Sequence, residues 1–312
     1  MRLLAWLLFI GLHLFGCEGV RPMAWPFTPL ETFSDNTVPK CTADHLNQIQ
    51  EGVNAVARPK YTDRPNVKLV STNLTEVTLD FAPLMIKDTA TSKYVFIENG
   101  GSFTVVPSML APTPDTDWPA NEWLYIYARS TNGVASIEVY EDPPQYTLAG
   151  LPYPLFYEDP VTPGPDEQLR YLGCFRTDGS TPPKVQAFKA TNWSYRWANP
   201  HVKPDTNTRM LLSAVAGTVT WTAINGALFD GVCPPTAQRI ELHAQMQGDG
   251  VTGNYIKLRS STAAEIRVAQ VISTSATTNS EMVSLPLFAS SIDWATLDAS
   301  GFASLYASGF EE

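Results

Sequence analysis

Clustered Lys and Arg are what this 312-residue chain most plainly lacks. Its 21 basic residues are outnumbered by 31 acidic ones, for a net charge of −10. Gripping a phosphate backbone needs runs or patches of positive charge, so nucleic acid is excluded as a partner. Cysteine is scarce too: Cys17, Cys41, Cys174 and Cys233 are all there are. No two stand at CxxC or other zinc-ligand spacing, so no metal site is expected. Cys174 and Cys233 are either a bridge or buried free thiols packing as small apolar groups. No Gly-x-Ser-x-Gly occurs, which leaves a Ser-His-Asp triad nothing to start from. The glycine-rich Gly248–Gly253 has neither the lysine nor the strand-to-helix setting of a phosphate loop, and its single acid is too few for calcium. No cofactor is expected.

What is present is a core. The chain is 44% hydrophobic and only 17% charged, with 25 Pro and 19 Gly, a composition of short strands joined by turns. Aromatic residues gather between Trp118 and Trp197, where Trp123, Tyr125, Tyr127, Tyr171, Phe175, Phe188, Trp193, Tyr195 and Trp197 fall in short β-preferring segments. Trp193, Tyr195 and Trp197 alternate, which on a single strand gives them one shared face. That face is either core packing or an exposed platform for a sugar or a neighbouring subunit.

The N-terminus begins with one positive charge and an apolar run to Cys17. It is too short to span a bilayer comfortably. Residues 1–17 are a lipoprotein signal with Cys17 lipidated, an ordinary signal peptide, or an uncleaved apolar anchor. Residues 18–41 follow as an extended, proline-interrupted leader. From Thr42, a good N-cap, to Arg58 the spacing predicts a helix, with Leu46, Ile49, Val53 and Val56 in one narrow apolar stripe. The stripe faces either a sheet of the same chain or an oligomer seam about a threefold axis.

Beyond Val67 the period shifts to two. Strands are expected at Leu74–Phe81, Tyr94–Ile97, Phe103–Val106, Trp123–Arg129, Ile137–Tyr140, Leu169–Phe175 and toward Trp197, with Asn99–Gly101 and Thr131–Gly133 as hairpin turns. Residues 198–208 read as a linker. Residues 209–312 hold about seven more strands and no helix, the pattern of a β-sandwich. The fold class is therefore mainly β, with two antiparallel β domains at 42–197 and 209–312.

Two stretches carry a resemblance. Thr42-Ala-Asp-His-Leu-Asn-Gln-Ile-Gln-Glu51 resembles the asparagine-ladder helices near the start of many bacteriophage tail and fibre proteins. Asn121-Glu-Trp-Leu-Tyr-Ile-Tyr-Ala128, Arg170-Tyr-Leu-Gly-Cys-Phe-Arg-Thr-Asp-Gly179 and the run from Phe188 to Trp197 are together similar to a β-rich module of phage and prophage virion proteins. Val232–Leu242, Ser284–Phe288 and Leu305–Phe310 resemble the jelly-roll tips of phage fibres. The resemblance implies a non-enzymatic virion protein, homotrimeric, attached to other virion proteins through its N-terminus and presenting its C-terminal domain to a host surface glycan. A secreted or lipid-anchored protein of the bacterial cell envelope is the alternative. A polysaccharide-cutting tail protein is the second, with candidate carboxylate pairs at Glu141-Asp142, Glu158-Asp159 and Asp166-Glu167, although all three flank prolines in loops and read first as solvated acids.

Overall fold

The computed structural model describes residues 67–71, 75–97, 102–145, 156–158, 165–198, 210–224, 226–248, 253–260, 265–271, 278–287 and 292–312. All of them fall within the compact unit Val56–Glu312. The expected helix with Leu46, Ile49, Val53 and Val56, the candidate lipidation site Cys17 and nearly all of the expected linker lie outside the described residues.

The chain is mainly β, and every named strand pairing is antiparallel. In the C-terminal half, eight strands alternate between two sheets. β12 (Met210–Ala216), β14 (Arg239–Gln247), β17 (Thr278–Pro286) and β19 (Phe302–Glu311) take one; β13 (Thr222–Ala223), β15 (Asn254–Arg259), β16 (Ile266–Val271) and β18 (Asp293–Thr296) take the other. The first runs β12-β19-β14-β17 and the second β13-β18-β15-β16. Alternation broken only by the β15–β16 hairpin, in this strand order, is a jelly-roll sandwich. Its strands show why. Along β14, Ile240, Leu242, Ala244 and Met246 are buried while the residues between them are not, so one face is dry and one is wet. Two differences from expectation are small. The segment Thr218–Trp221 is irregular, with the strand following at Thr222–Ala223, and a five-residue helix, α1 (Gly226–Asp230), interrupts the strands.

The N-terminal half is built otherwise. β6 (Trp123–Thr131) sits inside a four-stranded sheet ordered β7 (Val134–Tyr140), β6, β9 (Pro165–Arg176), β8 (Phe156–Glu158). Residues 123 to 128 of β6 are all buried, so this strand is covered on both faces. The β6–β7 hairpin turns through Asn132 and Gly133, both at positive φ, as a two-residue turn requires. A second hairpin pairs β3 (Leu84–Lys87) with β4 (Tyr94–Ile97). The sequence gives β4 a hairpin with β5 (Ser102–Val105) across Asn99–Gly101; instead β5 pairs with β2 (Val77–Phe81). The short strand β3, hidden between Pro83 and Asp88, takes the place beside β4.

The two halves share one sheet. β1 (Val67–Ser71), β2, β5, β10 (Phe188–Thr191) and β11 (Ser194–Trp197) extend the jelly-roll sheet to nine strands. The junction is β19, whose edge away from β14 is divided. β12 takes Phe302 to Tyr306, and β11 takes Gly309 to Glu311. Main-chain hydrogen bonds therefore run unbroken from β17 to β5, across the boundary expected at 198–208.

Candidate functional site

The segment from Phe188 to Trp197 is a hairpin rather than one strand, because Asn192 and Trp193 form its turn at positive φ. Trp193, Tyr195 and Trp197 are 7%, 3% and 5% exposed. This corrects the sugar-platform reading: no ring face is left for a ligand. Tyr195 stacks on Phe310 of β19 with ring centroids 4.3 Å apart, and Trp197 lies 6.1 Å from Trp123. Trp193 packs against Tyr171 at 5.5 Å. The Tyr195–Phe310 stack fastens the two halves and the other two contacts close the N-terminal one, with aromatic pairs adding about 0.5–1.5 kcal/mol each beyond burial.

The Tyr-Leu-Gly-Cys-Phe segment has a mechanical explanation. β9 carries one extra residue opposite β6 between Tyr171 and Gly173, a bulge that tilts the strand locally. Gly173 has φ +146, and a Cβ there would lie 2.6 Å from the Tyr195 hydroxyl and 2.7 Å from Leu69. Only glycine lets Tyr195 reach over the strand and accept the Cys174 N–H at 3.0 Å.

Under this bulge sits a polar knot. The Glu312 side chain, in a residue 6% exposed, accepts the Tyr171 hydroxyl at 2.6 Å, the Cys174 thiol at 3.6 Å and the Thr236 hydroxyl through one oxygen. Burial, and then the Glu312 charge, pushes the Cys174 and Cys233 thiols well up from their usual range. Burial raises Tyr171 and Tyr195 in the same direction. The thiols are thus held protonated and unreactive, and both cysteines are free, so the Cys174–Cys233 bridge is not formed.

Two further carboxylates organise turns. Asp88 is fully buried and accepts the Ala90 and Thr91 N–H groups and the Thr91 hydroxyl on one oxygen, and the Ser130 hydroxyl and Gly133 N–H on the other. It ties the β3–β4 turn to the β6–β7 hairpin. The Gly133 N–H, followed by the Ser130 and Thr91 donors, outweighs burial and pulls its carboxyl down to about 2. Asp178 does likewise for the turn after β9, receiving the Ser180 and Lys184 N–H groups; burial raises its carboxyl, but these donors and the Ser180 hydroxyl leave it lowered. Nothing in the sequence marks Glu312, whereas Asp88-Thr-Ala-Thr91 is an Asx-turn pattern and was readable.

An open cleft of about 520 Å³ lies between the loop after Leu110 and the end of β7. Buried Trp118 and half-buried Tyr140 form its walls, and Asp115, Asp117, Glu141 and Asp142 line it. Tyr140 donates to Glu138 at 2.8 Å, and burial with that contact raises its phenol to about 12. The sequence flags Glu141-Asp142 but misses Asp115, Asp117 and Tyr140, which reach the same cleft only through the fold. Of the other expected pairs, the Glu158, Asp166 and Glu167 side chains and Asp159 fall outside the described residues. His243 stands on β14 beside Tyr306, their rings 6.1 Å apart. Among the described residues no three His, Cys, Asp or Glu side chains gather as a metal site would need.

Neither known protein families nor curated protein sequences match the chain. Among solved structures, the tryptic core of a Cry1Da variant from Bacillus thuringiensis is similar at 10% identity and a TM-score of 0.18, over 81% of this chain and 52% of that one. The chain spans about half the length of that structure. Similarity of this degree carries no inference about fold or activity.

Proposed function

We propose that the chain is a structural and host-attachment protein of a tailed-phage virion, in a fibre, spike or collar position, without catalytic activity. The observation that supports this best is the unbroken sheet. A jelly roll is welded through β19 to the aromatic module that resembles virion proteins, giving one stiff body in which chemistry-bearing side chains serve the packing. Such a body suits a part that transmits force between a particle and a surface. In this reading the stripe Leu46, Ile49, Val53 and Val56 forms a trimer seam, and the N-terminus holds neighbouring virion proteins. Antibody raised against the chain, with gold label, tests it on purified particles. Label on an appendage is the expected result; particles whose protein inventory lacks the chain would remove the proposal. Palmitate incorporation that depends on Cys17 would instead favour a cell-envelope lipoprotein.

One feature favours a second reading, that of a polysaccharide-degrading tail protein. The cleft at Trp118 brings Glu141 and Asp142 together with Asp115 and Asp117, and glycoside hydrolysis needs two carboxylates across one bond. Release of reducing ends from host polysaccharide, abolished by Asp117→Asn or Glu141→Gln, would establish this reading over the first. Release unaffected by both variants would remove the cleft from consideration.

A further inference from the structure

The nine-stranded sheet ends in β17, and among the described residues that end is open. Thr278–Pro286 pairs with β14 along nine residues on one side, while no described strand pairs with its other side. Thr278 to Met282 are exposed on both faces, Met282 being 54% accessible. An unpaired row of N–H and C=O groups is a template for another strand, which folded proteins blunt with Lys, Pro, a bulge or brevity. β17 has none of these along its length. It holds no Lys, its ladder with β14 has no register break, and Pro286 sits only at its last position. Other edges are managed. β5, at the far end, is four residues long, and on β16 the Glu281 carboxylate caps the Ala269 N–H at 2.8 Å.

We infer that β17 pairs antiparallel with β17 of a second copy of this chain, about a twofold axis at Met282. The occupant follows from what each residue then faces. On the outer sheet face Met282 stands beside His243, His243 beside Tyr306, and Tyr306 beside Met210. The row ends at the edge in its most exposed member. A twofold axis at Met282 sets that thioether against its copy and continues the row into the partner, burying side chains that one chain alone leaves in water. In the same register Ser280 faces Ser284 and Glu281 faces Val283. The strand's only charge therefore meets an apolar side chain, and no like charges oppose. The pairing does not depend on the chain being a virion part. A threefold seam through the N-terminal stripe would multiply it to six copies, and losing that seam would divide the mass by three rather than two.

Sedimentation of the full chain over a range of concentrations tests this, with two double variants at the same positions. Ser280→Lys with Ser284→Lys opposes like charges twice; the assembly is expected to halve in mass, with an affinity lowered at least about tenfold. Ser280→Glu with Ser284→Lys opposes unlike charges and is expected to keep the wild-type mass. Both positions are exposed, so circular dichroism stays as in wild type and confirms that the variants fold. A chain that stays monomeric, as one awaiting a foreign strand would, overturns the inference. So does an odd-numbered assembly, or equal behaviour of the two double variants.

Discussion

The two halves of this molecule reach a β fold by different packing. In the jelly roll, β14 alternates buried and half-buried residues and its inner face is aliphatic: Ile240, Leu242, Ala244 and Met246. In the aromatic module, β6 is buried on both faces from Trp123 to Ala128, and the rings of Trp123, Tyr125 and Tyr127 pack among Tyr140, Tyr171, Trp197 and Phe310. A strand with one wet face needs only a partner sheet behind it. A strand dry on both faces needs a layer on each side, and part of that cover here, Phe310 above all, belongs to the other half of the chain. The lesson is dependence: the jelly roll has its own two sheets, whereas the module borrows Phe310 and Glu312 to close its core.

Replacing Phe310 should therefore break the comparison most severely. Phe310 is 1% exposed, and its ring lies 4.3 Å from Tyr195, 5.6 Å from Trp123 and 6.1 Å from Trp197. Phe310→Ala removes a large buried ring and is expected to cost about 3–5 kcal/mol. Hydrogen exchange should show protection falling in β6 and in β14 together. Loss confined to β14 would mean that the module closes its core unaided. A smaller effect is expected at Gly173, where an added methyl meets the Tyr195 hydroxyl and Leu69. Gly173→Ala should cost about 1–3 kcal/mol in denaturant unfolding. Adding Tyr195→Phe should change that cost by about 0.5–3 kcal/mol from additivity, because the two positions share one contact. Simple additivity would show that the glycine serves its own backbone angle and not the tyrosine above it.

Legibility followed the same division. The period-two pattern of 209–312 announced nearly every jelly-roll strand, since hydrophobic alternation is the imprint of a half-buried sheet. It missed β18, whose Trp294, Ala295 and Thr296 are consecutive and buried, so that no alternation remains to be seen. In the module the aromatic strands were visible but their partners were not. Trp193, Tyr195 and Trp197 alternate in the sequence, yet positive φ at Asn192 and Trp193 puts the first of them in a turn. The linker expected at 198–208 marked a change of packing style, while the sheet itself continued through β11 and β19. Of the candidate cleft only Glu141 and Asp142 were legible, because Asp115 and Asp117 join them through pairings such as the Leu110–Val139 bridge.

The most selective probe of the module alone is acid. Among the described residues Asp88 has no counterpart in the jelly roll: it is fully buried, accepts five donors from two turns, and its carboxyl is drawn from 3.8 down to about 2 by the Gly133 N–H and the Ser130 and Thr91 donors. A carboxylate whose folded pKa lies below its unfolded one stabilises the fold fully above the unfolded value, and the contribution disappears as pH falls through the folded value. The stabilisation from Asp88 should thus be level from neutrality to just above 3.8, then decline toward about 2. Asp88→Asn keeps the shape but cannot accept on both sides, so it should be less stable at neutral pH and should lose less than wild type between those two values. Urea midpoints measured across that acid range, with exchange protection at β3 and β7 as the local readout, decide it. Equal acid slopes for the two proteins would mean that the hairpin turns hold together without the charge.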